Sequence, residues 1–141
     1  AHHSLNIKII KRIKCALNHL YTRFFVMITI YHNPRCSKSR QTLALIEASG
    51  ITPSIVLYLE NPLTIAEIQG LLSKLGMSAR DIIRKGEDAY KQNNLGDMTL
   101  TEKTLMEAIA NTPKLLERPI VVKGSKAIMG RPPENVLALL S

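Results

Sequence analysis

Tryptophan is absent from this 141-residue chain, and aromatic residues of all kinds make up only 4% of it. A core built from it is therefore aliphatic, mostly Leu, Ile and Val. The basic face studded with aromatics that single-strand nucleic-acid binders use is missing. Acids are also few: 11 Asp and Glu stand against 19 Lys and Arg, for a net charge of +8. Five of the cations, Lys8, Lys11, Arg12, Lys14 and Arg23, fall in residues 1–26, which hold no acid. That leaves 14 cations facing 11 acids in the rest of the chain, too small a surplus to argue for a nucleic-acid partner from charge. The two cysteines, Cys15 and Cys36, cannot build a disulfide framework and fit a reducing, cytoplasmic setting in which one thiol does chemistry. No apolar run is long enough to cross a bilayer, and no membrane partner is expected. At 45% hydrophobic and 21% charged, the composition is that of one ordinary globular domain.

Residues 1–26 differ in character from the rest of the chain. They are basic, and Leu20 to Val26 precede Met27 and the strand-like Ile28-Thr29-Ile30-Tyr31. Met27 is read as the natural start, with 1–26 an N-terminal extension that is extraneous or loosely ordered. The alternative is a targeting or membrane-surface helix, against which Asn18, His19, Thr22 and Arg23 break any signal-like apolar stretch. No chemistry is assigned to Cys15.

From 27 to 141 the pattern is β-α-β, several helices, then β-β-α. Ile28–Tyr31 is a short strand, and Ser37–Ser49 a helix ended by Gly50, a residue suited to left-handed backbone. Ile55 to Leu59 has the continuous apolar content of a buried strand. Thr64 and Glu67 form a capping box ahead of Ile65, Ile68, Leu71, Leu72 and Leu75, with Gly76 as the stop. Ser78 opens a short helix, and Thr101 caps another that turns Leu105, Met106 and Ile109 inward and stops before Pro113. Ile120–Val122 and Ala127–Met129 flank a turn and predict a hairpin, and Pro133 stands where a terminal helix begins. The first two strands are expected to be parallel and the last two antiparallel, in one α/β domain with a helical insertion.

The most informative stretch is His32-Asn33-Pro34-Arg35-Cys36-Ser37-Lys38-Ser39-Arg40. It places Cys36 between a strand and a helix, at the helix start, where free N–H groups and the helix dipole favour a thiolate. Arg35, Lys38 and Arg40 add positive charge, and the exposed amides suit an oxyanion beside the sulfur. An inert buried cysteine fits poorly among polar and charged neighbours. His32 is read either as a group that orients or deprotonates the thiol or as a polar residue bonded within the loop, and Ser39 as a donor to the thiolate or a helix cap. Position 39 is Ser and not Cys, so any adduct on Cys36 must be resolved by an external thiol. No metal site is expected, because one His and one Cys beyond residue 26 are too few ligands.

The run Ile30 to Arg40 resembles the active-site signature of the glutaredoxin-coupled arsenate reductases. The resemblance continues through Tyr58-Leu59-Glu60-Asn61-Pro62, Leu75-Gly76-Met77, Ile83-Arg84-Lys85, Glu117 to Val122 and Gly130-Arg131-Pro132-Pro133. It implies a thioredoxin-like mixed four-stranded sheet with helices on both faces over 27–141. It implies that Cys36 is the nucleophile, that Arg84, Arg118 and Arg131 form the anion site, and that Pro119 is cis and faces the nucleophile. Guanidinium forks suit a tetrahedral oxyanion in a way lysine cannot copy, although each arginine alone reads equally well as a solvated charge or the partner of a nearby Glu. Arg40 and Pro119 are expected to support the site.

The implied reaction is reduction of arsenate to arsenite by a monomer, through a thiol–arsenate adduct on Cys36. Glutathione is co-substrate, glutaredoxin the protein partner, and no cofactor is tightly bound. Lys38 replaces the small neutral residue of arsenic-resistance members, and the chain ends at Ser141 without their extension, so the resemblance is to the shorter branch of the family. Two rival readings stand beside it. One is a related thiol oxidoreductase with another substrate. The other is a non-enzymatic regulator that binds RNA polymerase, a class that uses a Cys-x-x-Cys switch.

Overall fold

The computed structural model describes residues 27–141. The expectations for residues 1–26, Cys15 included, lie outside the described residues. Four strands form one sheet in the order β2-β1-β3-β4, where β1 is Ile28–Tyr31, β2 Ser54–Val56, β3 Ile120–Lys123 and β4 Lys126–Met129. β1 and β2 are parallel, with Ile30 opposite Ile55. The pairs β1–β3 and β3–β4 are antiparallel, with Ile30 opposite Val121 and Val121 opposite Ile128. The parallel pair needs a crossover, and α1 (Ser37–Ala48) supplies it. The β3–β4 pair needs only a tight turn, and Gly124 at φ +61° makes it.

Strand alternation sends neighbouring side chains to opposite faces, and both faces are covered. Ile28, Ile30 and Val121 pack with Ile46 of α1 and with Val136 and Leu139 near the C-terminus. Ile120, Val122 and Ala127 pack with Ile68, Leu71, Leu105 and Ile109. This second cluster belongs to the insertion between β2 and β3: α2 (Ile65–Leu75), α3 (Ala79–Ile82), α4 (Asp88–Gln92), α5 (Glu102–Asn111) and a 3-10 turn, Pro113–Leu115. The mixed sheet with helices on both faces is the architecture expected from the sequence. The capping box forms as read: Glu67 N–H donates to Thr64 Oγ1 at 3.1 Å, and Gly76 ends α2 at φ +66°.

Three elements differ from the sequence reading. The buried strand expected over Ile55–Leu59 is only Ser54–Val56, and Ile55 is 48% exposed. β2 is an edge strand with a partner on one side only, so its apolar content is not matched by burial. Beyond it the chain turns, with Glu60 and Asn61 N–H both donating to Leu57 O, and Tyr58 is carried into the core. The terminal helix begins at Pro133 as a 3-10 turn, Pro133–Val136, and continues as the four-residue α6, Leu137–Leu140, with Leu137 49% exposed. Helix α4 is an addition. It has no fully buried residue, so no apolar period announces it.

Candidate active site

The turn after β1 sets the thiol. His32 N–H still donates to Val56 O, extending the β1–β2 ladder, and Cys36 N–H then donates to Asn33 O at 3.0 Å to close the turn. Cys36 is the N-cap of α1, in extended backbone at φ −92° and ψ 122°, with no side-chain cap bond. The first intrahelical acceptor is Cys36 O, which takes Arg40 N–H at 3.0 Å. The amides of Ser37, Lys38 and Ser39 therefore precede the helical ladder, at the positive end of the helix dipole. Cys36 is partly exposed and is the free cysteine among the described residues.

The loop is held from beneath. Ser39 Oγ accepts Asn33 N–H at 3.0 Å and pairs with His32 Nδ1 at 2.7 Å, the proton's side of that bond following the imidazole tautomer. Both side chains are buried. Burial lowers the His32 pKa below 6.5, and the Arg40 cation lowers it further against the smaller effect of Glu47. Arg40 Nη1 donates to Pro34 O at 2.9 Å. His32, Ser39 and Arg40 are thus occupied in fixing the turn that carries Cys36.

Two distant segments bring the arginines. Ile83 and Leu116 form an antiparallel bridge flanked by Arg84 N–H to Leu115 O and Glu117 N–H to Ile82 O, both 2.7 Å. That bridge sets Arg84 beside the Glu117-Arg118 segment. Arg84 and Arg118 line a cleft of about 270 Å³ together with Asn33, Arg35, Tyr58 and Lys114. Arg118 Nε is buried there with no hydrogen-bond partner. The third arginine approaches the sulfur itself: Arg131 Nη1 is 4.0 Å from Cys36 Sγ and donates to Arg118 O at 3.0 Å. Cys36 and Arg131 are not among the residues lining the cleft. The peptides Arg118–Pro119 and Arg131–Pro132 are both cis. Gly130 N–H donates to Pro119 O at 2.9 Å, so the two Arg-Pro segments are joined directly.

Several participants have no role in the sequence reading, although Tyr58, Glu117 and Gly130 stand within its motifs. Glu117 Oε1 is 3.4 Å from Arg131 Nη1, and Glu87 Oε1 is 3.4 Å from Arg84 Nη1. Adjacency to Arg118 in the chain is the signal that points to Glu117. Tyr58 is buried at the cleft, and burial raises its phenol pKa; Arg84 opposes this, and Cys36, Glu117 and Glu87 add to it. Gly130 leaves room for α1: a Cβ there would sit 2.6 Å from Thr42 Oγ1 and 2.7 Å from Pro119 Cγ. Among the described residues no three His, Cys, Asp or Glu side chains gather as metal ligands, and no helix is long and apolar enough to cross a membrane.

A partly exposed cysteine at a helix start, one guanidinium beside it and two more at an adjacent cleft can bind a tetrahedral anion and attack it. Known proteins resemble this chain in sequence and fold. The sequence profile of the ArsC family matches residues 31–139. A protein of Escherichia coli strain K12, YfgD, is 54% identical over 80% of this chain and 96% of its own length. An arsenate reductase of Haemophilus influenzae is 47% identical over 80% of this chain and 98% of its own. Among solved structures, an arsenate reductase from Vibrio cholerae is 48% identical with a TM-score of 0.78, covering 80% of this chain and 97% of that one.

Proposed function

This chain belongs to the ArsC family, and on that premise we propose that it reduces arsenate to arsenite through a covalent adduct on Cys36. The observation that carries the reading is the 4.0 Å approach of Arg131 Nη1 to Cys36 Sγ at the start of α1. It puts a cation, free amides and a nucleophile around one small volume. Arsenate is tetrahedral and anionic, so those groups bind its oxygens while the sulfur faces the arsenic.

The Cys36 thiolate attacks arsenic, and one arsenate oxygen leaves as water after taking up two protons. A sulfur–arsenic bond replaces the arsenic–oxygen bond. Arg131, Arg84 and Arg118 stabilise the negative charge that builds on the remaining oxygens. Ser39 occupies the place of a second cysteine, so the reductant comes from outside. A glutathione thiol attacks the adduct, arsenic gains two electrons as its bonds to sulfur give way, and the two sulfurs end joined as a disulfide. Arsenite leaves, and glutaredoxin returns the disulfide to thiols. The same proposal places the protein in the cytoplasm, as a monomer.

The test is arsenate-dependent NADPH oxidation in the presence of glutathione, glutaredoxin and glutathione reductase. Turnover in the wild type that Cys36→Ser abolishes is the expected result. No turnover in protein whose Cys36 alkylates rapidly at neutral pH would sink the arsenate reading and leave a thiol oxidoreductase with another substrate.

A further inference from the structure

The cleft beside Cys36 is larger than an oxyanion needs. This open cleft has a volume of about 270 Å³, whereas a water occupies ~30 Å³ of the liquid and a tetrahedral oxyanion only a few such volumes. Sites for small organic ligands begin at roughly 300 Å³. Cys36 and Arg131 do not line it, so an oxyanion held by that pair together with Arg84 and Arg118 leaves the remaining lining, Arg35 and Lys114 included, to a second ligand. Besides the two arginines given to the oxyanion, its wall carries Arg35 and Lys114, while Glu87 is committed to Arg84 at 3.4 Å. A wall with that surplus of cations suits a ligand with more than one separated negative charge. Tyr58 and Leu59 give it an apolar side. Cys36 is the free cysteine among the described residues, so a second sulfur must arrive from solution next to this turn.

We propose that the cleft receives the thiol co-substrate, an anionic thiol of tripeptide size with two carboxylates, of which glutathione is the probe. Lys114 and Arg35 hold its carboxylates, and its sulfur is presented to Cys36. The inference rests on the thiol-dependent reduction proposed above and adds where the thiol binds and which side chains select it. Lys114 has no part in the oxyanion chemistry proposed above, so it reports on the second ligand alone.

The test is a thiol exchange that involves no arsenate. In a Cys15→Ser background, Cys36 is converted to its mixed disulfide with 2-thiopyridine. Glutathione attacks the Cys36 sulfur; the bond to the pyridine sulfur breaks, the Cys36–glutathione bond forms, and thiopyridone leaves with the electron pair and is read by absorbance. The expected result is a rate that saturates in glutathione and stays linear in the neutral thiol 2-mercaptoethanol. Lys114→Glu should raise the half-saturating glutathione concentration about fivefold, with Lys114→Gln shifting it less in the same direction, and leave 2-mercaptoethanol unaffected. A glutathione rate that stays linear over the same range, or a Lys114→Glu effect equal for both thiols or absent from both, overturns the proposal. Arsenate-dependent NADPH oxidation by the same Cys15→Ser protein keeps the two readings apart. Turnover without saturable exchange removes the cleft inference alone, and saturable exchange without turnover removes arsenate and keeps the thiol site.

Discussion

Arg131 is closer to Glu117 than to the Cys36 thiol: its Nη1 lies 3.4 Å from Glu117 Oε1 and 4.0 Å from Cys36 Sγ. The carboxylate therefore occupies, in the free protein, part of the charge an incoming oxyanion would use. Glu117→Gln keeps an acceptor for Arg118 N–H, which Glu117 Oε1 takes at 3.3 Å, and removes only the competing charge. Because both side chains are partly exposed, the effect is modest: the KM for arsenate should fall about twofold to fivefold, and Cys36 should alkylate faster at neutral pH. Steady-state kinetics and iodoacetamide trapping measure the two. A higher KM with slower alkylation would mean that Glu117 holds Arg131 in place.

Gly130→Ala should separate the thiol from its arginine. The added Cβ would sit 2.6 Å from Thr42 Oγ1 on α1 and 2.7 Å from Pro119 Cγ, and neither neighbour is the free end of a flexible chain. Overpacking of this kind costs about 1–3 kcal/mol. Urea unfolding should register that loss. Turnover should fall further than stability alone explains, because Gly130 immediately precedes Arg131. A variant with wild-type stability and turnover would show that the contact between α1 and the Gly130 turn can relax.

Much of this site is legible in the sequence, and the reason is local. Cys36 as an N-cap follows from Pro34 ending a strand and a helical run beginning at Ser37. The Thr64–Glu67 capping box and the left-handed Gly50 and Gly76 are likewise decided within a few residues. What the sequence leaves open depends on chain separation. A buried bond joins His32 to Ser39, which also accepts Asn33 N–H; this is the loop-bonded position read for His32 and a contact that neither reading of Ser39 includes. The edge position of β2 is decided by β1 pairing with β3 on its other side, about 90 residues on, and no feature of Ile55 announces it. Salt bridges from Arg84 to Glu87 and from Arg131 to Glu117 match the ion-pair reading of these arginines, and the anion-site reading belongs to the proposed function. Arg118, with a buried unpartnered Nε, separates from them only in three dimensions.

His32 should make stability pH-dependent. Burial, then the Arg40 cation, lowers its folded pKa below 6.5, so between the two values the unfolded chain binds more protons than the folded one. Stability is then complete above pH 6.5 and is lost as pH falls toward the folded pKa. The urea midpoint should drop from pH 7.5 to pH 5.5 more in the wild type than in His32→Asn, whose amide can still meet Ser39. Equal drops would assign the dependence to other groups.

Arg118 offers the clearest separation of binding from folding. Its Nε is buried with no partner, an arrangement that costs stability in the free protein and is relieved when an anion accepts from it. Arg118→Lys keeps the charge but removes both the buried N–H and the planar fork. Arsenate KM should therefore rise about tenfold or more, while the melting temperature without ligand stays level or increases. Inorganic phosphate, a non-reacting tetrahedral anion, should raise the wild-type melting temperature and raise that of Arg118→Lys much less. If the variant loses stability in the absence of anion and still gains as much from phosphate, Arg118 is a structural cation and the oxyanion is held by Arg131, Arg84 and the amides of α1 alone.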